Sequence, residues 1–123
     1  MKNALAPRIV QIEDNRQTPY RFEVYGIDEA PSGRNVVYMF CIAWLVGYSP
    51  LYIGRAEDLS KRLANHERKD QAKARGASAL LVHRPGLLDY VQYKEAEIRL
   101  IQSFNPSLNV QHNALGGLFL STS

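Results

Sequence analysis

A single α+β domain is what this sequence predicts, and three observations predict it. Four short stretches rich in β-branched and aromatic residues, RIVQI (8 to 12), YRFEVYG (20 to 26), VVYMFCIAWL (36 to 45) and LYIG (51 to 54), fill the first half of the chain. From Asp58 the spacing of apolar residues changes to that of a helix, and it does so again after residue 87, with one more apolar run, ALLVH (79 to 83), in between. A length of 123 residues suits one folding unit and is enough to bury a core.

RIVQI and YRFEVYG are separated by the polar segment EDNRQTP, so they are expected to pair as a hairpin. DEAPSGRN (28 to 35) collects Pro, Gly, Ser and Asn and marks a loop. VVYMFCIAWL is apolar at odd and even positions alike, as a strand covered on both faces would be. After a turn at VGYSP, LYIG pairs back on it as a second hairpin. Asp58 serves as the N-cap of a helix in which Leu59 and Leu63 fall four apart, and which runs on through NHERKDQAKAR until Gly76 ends it. ALLVH is a further core strand, closed off by Pro85 and Gly86. A longer helix spans about 87 to 104 and is stopped by Asn105-Pro106. The tail, NVQHNALGGLFLSTS, carries no period, and no internal repeat or low-complexity segment occurs.

Composition narrows the function classes. Hydrophobic residues at 46% and charged residues at 22% argue against wholesale disorder. Lys and Arg exceed Asp and Glu by 15 to 12, a mild basic excess that suits a polyanionic partner without requiring one. Cys41 is the only cysteine, so no internal disulfide can form; a reducing cytoplasmic setting and a packed, inert thiol are expected. The N-terminus lacks a continuous apolar segment of the kind a secretory signal needs. The longest apolar stretch, 36 to 48, is too short for a membrane helix, so a soluble protein without a membrane partner is expected.

On the helix from 87 to 104, Tyr90, Tyr93, Ala96, Leu100, Ile101 and Phe104 would share one side, with Glu97 in its middle and Glu95 pointing away. An ionised carboxylate in an apolar stripe needs a paired charge or a bound cation, the plainer option being a structural pair with an Arg such as Arg62. On the helix from Asp58, Arg62 and His66 lie i, i+4 beside the Leu59 and Leu63 side. Taken singly, such a His is ordinary packing and such an Arg a snorkelling stem. With Glu97 they supply the cationic and anionic groups of a metal-assisted phosphate site. Tyr38 and Tyr52 lie on the two strands of the second hairpin; a phenol, with an ordinary pKa of about 10, accepts a proton only when positive charge assists it. Gly54 ends its strand where a missing side chain allows close approach, or simply makes a turn.

These residues, in this order, resemble the GIY-YIG nuclease family. VVY at 36 to 38 stands where the first motif would be, with Val36-Val37 in place of Gly-Ile, and YIG at 52 to 54 matches the second. Arg62, His66, EIRLI from Glu97 and NPSLN ending at Asn109 follow, so the likeness covers about residues 35 to 110. The resemblance implies a three-stranded antiparallel sheet flanked by helices, with residues 1 to 34 an added N-terminal hairpin and loop and 111 to 123 a tail. It implies cleavage of DNA with a divalent cation, magnesium first and manganese second. Glu97 would then be the metal ligand and Arg62 would stabilise the pentavalent phosphate. Tyr38 would help activate water beside Tyr52, His66 would aid this network, and Gly54 and Asn109 would support it. Arg55, Arg68, Lys69, Lys73 and Arg75 would rest on the DNA backbone, although a basic run is as readily a solvated helix face. The hairpin would extend the sheet, contact DNA or pair two subunits, and a protein partner is another source of specificity. The alternative function is a catalytically silent nucleic-acid-binding or protein-interaction module that kept the fold.

Overall fold

In the computed structural model, which describes residues 6 to 109, five strands form one sheet. They are β1 (Arg8–Glu13), β2 (Pro19–Gly26), β3 (Val36–Trp44), β4 (Gly47–Ala56) and β5 (Ala79–His83). Their order is β1-β2-β5-β3-β4, and each neighbouring pair is antiparallel. The sheet therefore has five strands where the resemblance implied three. The N-terminal hairpin supplies the extra two by pairing β2 with β5, from Glu23 opposite Val82 to Gly26 opposite Ala79.

From Val36 to Cys41 the apolar character of β3 has the expected cause, whereas Ala43, Trp44 and Leu45 beyond them are exposed and not covered as the sequence predicted. Val36, Tyr38 and Phe40 face one side, where they meet Leu59, Leu63 and Ala72 of the helices α1 (Leu59–Leu63) and α2 (Glu67–Ala74). Val37, Met39 and Cys41 face the other side and join Phe22, Ile53, Ala96 and Leu100, the last two from α3 (Tyr93–Phe104). Helices thus cover both faces of the central strands, and a residue's parity along β3 or β5 decides which core it enters. Among the described residues no helix is long and apolar enough to cross a membrane.

Three local expectations need correction. The second hairpin turns at Leu45 and Val46, not at VGYSP, because Trp44 pairs directly with Gly47. The register shifts between Phe40 and Cys41, which face Tyr52 and Pro50, so Leu51 is the extra residue of a bulge. Pro50 is tolerated because β4 is an edge strand.

The helix from Asp58 does not run on to residue 75. Asp58 caps α1 as expected, its carboxylate accepting from the Lys61 N–H, but α1 ends after little more than one turn. His66 then takes an extended conformation, φ −132° and ψ 102°, and caps α2. Arg62 and His66 are consequently not i, i+4 neighbours on one helix. Gly76, at φ 101°, ends α2 where the sequence placed its stop.

The last helix begins at Tyr93, not at 87. Residues 86 to 89 close a turn in which the Asp89 carboxylate accepts from the Gly86 N–H at 2.8 Å, and the Gln92 amide donates to the carbonyls of Gly86 and Asp89. Leu87, Leu88 and Tyr90 are left exposed, so Tyr90 does not join the apolar stripe. Ala96 and Leu100 form the buried centre of α3, and Glu97 lies at its half-buried rim, not in its middle. Asn105 adopts φ 44° and ends α3 before Pro106. The tail beyond Asn109 lies outside the described residues.

Candidate functional site

Strand pairing puts Tyr38 directly opposite Gly54. A Cβ built at Gly54 would lie 2.5 Å from the Tyr38 hydroxyl and 2.9 Å from the Tyr52 ring, so a glycine is what lets the phenol lie across β4. Tyr38 is fully buried, and its Oη is 2.6 Å from Nε2 of His66.

The other ring nitrogen of His66 decides the direction of that bond. Nδ1 accepts the Arg68 backbone N–H at 3.2 Å, an N-cap interaction, and so carries no hydrogen. The neutral ring then bears its proton on Nε2, which donates to the Tyr38 oxygen. The ring sits among aromatic neighbours, with centroids 4.9 Å from Phe40, 5.3 Å from Tyr52 and 5.5 Å from Tyr38. Burial, followed by the charges of Arg62, Lys69 and Arg68, pushes the His66 pKa down to about 4, so the ring is neutral at pH 7.

Burial and three neighbouring groups bear on the Tyr38 phenol. Burial raises its pKa far above the usual range; Tyr52 and Glu97 act in the same direction and the Arg62 guanidinium acts against them. Arg62 is exposed and donates through Nη1 to the Asn65 carbonyl at 3.3 Å, which leaves most of its fork toward solvent. The side chain of Glu97 is 18% exposed and lies 3.5 Å from Nη1 of Arg55. The structural ion pair considered for Glu97 is therefore made with Arg55, one residue past Gly54, and not with Arg62.

Asn109 reaches β4 from the turn Ser107–Asn109 that follows α3. Its side-chain oxygen accepts from the Ile53 N–H at 3.0 Å and its amide donates to the Ile53 carbonyl at 3.1 Å. A buried side chain thus imitates a neighbouring strand and fixes the backbone next to Gly54. Its role is to hold the site's floor.

The basic residues expected on the DNA backbone are partly committed elsewhere. Lys73 and Lys69 reach Asp28 at 2.8 and 3.9 Å, Arg68 donates to Gln71, and Arg75 donates to Ser107. Two features escaped the sequence reading: Arg55 as the partner of Glu97, and Phe40 as a wall against His66. The second was legible, since Phe40 follows Tyr38 by two on the same strand face.

Among the described residues no three His, Cys, Asp or Glu side chains gather as a multidentate metal cage. A magnesium ion needs only one or two carboxylates when substrate phosphate supplies further oxygens, and a half-buried Glu97 carboxylate fits that requirement once Arg55 yields it. No family model, no curated protein and no solved structure matches this chain.

Proposed function

We propose that the chain is a metal-dependent endonuclease that hydrolyses DNA phosphodiester bonds, in the manner of the GIY-YIG nucleases its motifs resemble. The observation that carries this reading is the packing of His66 and Tyr52 on one phenol, Tyr38, with the charges of Arg62 and Glu97 near enough to act on it, from segments far apart in the chain. Packing alone would ask for neither a guanidinium nor a carboxylate there.

Each group has a task. The exposed Arg62 fork takes a non-bridging phosphate oxygen and offsets the charge that grows on it as the nucleophile adds. Tyr38 is a fully buried neutral phenol at pH 7 whose oxygen is already accepting from His66, so its own hydrogen is directed to the neighbouring Tyr52 hydroxyl, which would in turn orient water or phosphate. Tyr52, half-buried beside it, presents a second hydroxyl. Glu97 would hold magnesium, which when bound supplies the positive charge that a phosphodiester and its leaving oxygen require. Arg55, released from Glu97, is then placed to meet the same polyanion.

One observation favours the second reading, a module that binds without cutting: Glu97 already has a cationic partner in Arg55. Purified protein incubated with plasmid, branched and single-stranded DNA, with magnesium or with chelator, separates the two. Cleavage that requires magnesium and disappears in Glu97→Gln is the expected result; binding without cleavage of any of the three favours the module.

A further inference from the structure

The two edges of the sheet are built differently. β4 is guarded against pairing: Pro50 has no N–H, the bulge at Leu51 interrupts the ladder, and the Asn109 side chain occupies both backbone groups of Ile53. β1, at the other edge, has none of these devices. Its residues pair in unbroken register with β2, from Arg8 opposite Val24 to Glu13 opposite Pro19, with no proline and no bulge. Among the described residues β2 is its only strand partner.

Which backbone groups of β1 are open follows from the turn beside it. The Asp14 N–H donates to the Thr18 carbonyl at 3.0 Å, and this pair continues the register of β1 with β2 by one residue. Hydrogen-bonded pairs alternate along an antiparallel ladder, so Ile12 and Val10 also bond to β2. Ile9, Gln11 and Glu13 then point their N–H and C=O groups away from the sheet. Such a row is a template for one more strand.

The side chains of β1 narrow the choice of that strand. Val10 and Ile12 lie on the α3 side of the sheet, half-buried against the core that holds Phe22, while Ile9, Gln11 and Glu13 alternate to the other side. A groove of about 390 Å³ joins Val10 and Ile12 to the turn at Trp44, Leu45 and Val46 and to Phe104 at the end of α3. Leu45 and Val46 are almost wholly exposed, so apolar surface extends beside the open edge. β1 is also polarised, with Arg8 at its start and Glu13 followed by Asp14 at its end. An antiparallel copy of the same strand lays a cationic end beside an acidic end, twice over.

The register of such a pair is restricted. A two-fold axis normal to the sheet keeps each face on its own side, so residues of equal parity must stand opposite, and the bonded pairs must come from the outward row. Centring on Gln11 meets both conditions: Gln11 faces its own copy, Ile9 faces Glu13, and Val10 faces Ile12, β-branched against β-branched on the α3 side. Centring on Val10 would set Glu13 opposite Pro7, which has no N–H to give.

We propose that β1 pairs antiparallel with β1 of a second copy of this chain, about a two-fold axis through Gln11, making one continuous sheet with the apolar groove of each copy beside the seam. This association needs neither metal nor DNA.

The test uses the full chain in chelator: sedimentation over a wide range of concentration, with amide hydrogen exchange at both ends of that range. A monomer–dimer equilibrium is expected. The Ile9, Gln11 and Glu13 amides should exchange about tenfold or more slowly in the dimer, while Val10 and Ile12, bonded to β2 in either state, change little. Ile9→Glu sets a like charge opposite Glu13 of the other copy and should weaken the dimer about tenfold, whereas Ile9→Lys should hold or strengthen it. Leu45→Asp should weaken it several-fold, and Arg62→Ala should associate as the parent does. If Ile9→Glu lowers the melting point of the chain through its neighbour Glu23, the exchange pattern of the parent decides. A monomer at every concentration would overturn the proposal and leave the edge to a strand of another protein. Slow exchange at Gln11 that does not depend on concentration would overturn it in favour of another segment of the same chain, and equal weakening by Ile9→Glu and Ile9→Lys would overturn the register. Because the readout is association in chelator, the result is independent of whether the protein cuts DNA.

Discussion

His66 joins the fold and the candidate chemistry in one ring. Its pKa is about 4 in the folded chain against 6.5 for the ordinary side chain, so between those values the unfolded chain binds the extra proton. Stability from this residue is complete above about pH 6.5 and is lost as the pH falls toward 4, by up to a few kcal/mol. His83, also depressed by burial, adds to the loss in the same direction. The melting temperature should accordingly fall on acidification from pH 7 to 4.5, and His66→Asn, which keeps a cap acceptor but not the titrating ring, should flatten that slope. A melting curve as steep in the variant as in the parent would contradict this account of the ring. Gly54→Ala tests the other contact at the phenol. The new methyl group meets Tyr38, whose ring is walled in, so a loss of about 1 to 3 kcal/mol is expected in denaturant melts. Much at this scale was legible from the sequence. Tyr38, Tyr52 and Gly54 lie at strand positions whose facing follows from a period of two. The partner of Glu97 was not legible, because Arg55 and Arg62 are both basic and only the pairing of β3 with β4 decides which of them arrives.

The elements around the site divide in the same way. All five strands include the apolar runs that predicted them and β5 has the predicted limits, but β4 is ten residues long and takes in most of the segment expected as a turn. The two helical segments were each expected longer than they are. Spacing of Leu59 and Leu63 shows that a helix starts but not that the chain must break so that His66 can enter the aromatic cluster. After Gly86 the side chains of Asp89 and Gln92 satisfy the turn's own backbone groups, a local alternative to helix that apolar periodicity does not reveal. The turn after α3 is held by Asn109, and the consequence is testable. Asn109→Ala would leave the buried N–H and carbonyl of Ile53 without partners, costing about 2 to 4 kcal/mol for the two together. Hydrogen exchange at the Ile53 amide should quicken in this variant by more than at Leu81 in β5. Uniform acceleration across the sheet would mean that Asn109 contributes only to global stability.

At the scale of the whole molecule, the N-terminal hairpin is part of the sheet and not an appendage. It buries Tyr20 and Phe22 in the α3-side core and covers an edge of β5 that would otherwise be open. A chain lacking residues 1 to 27 should fail to give a cooperative melt or a dispersed amide spectrum; a cooperatively folded truncation would show that the remaining three strands suffice. The sheet so completed carries the Tyr38 cluster on the face that α1 and α2 cover, and the proposed cleavage belongs to that cluster. The most direct measurement of that assignment is the magnesium-dependent DNA cleavage rate of Tyr38→Phe beside the parent chain, with both melting within a few degrees of each other. The substitution preserves the ring and removes only the oxygen that accepts from His66 and that the proposed mechanism uses, so a rate lower by about 100-fold or more is expected. A Tyr38→Phe protein that cuts DNA as fast as its parent would contradict the central claim.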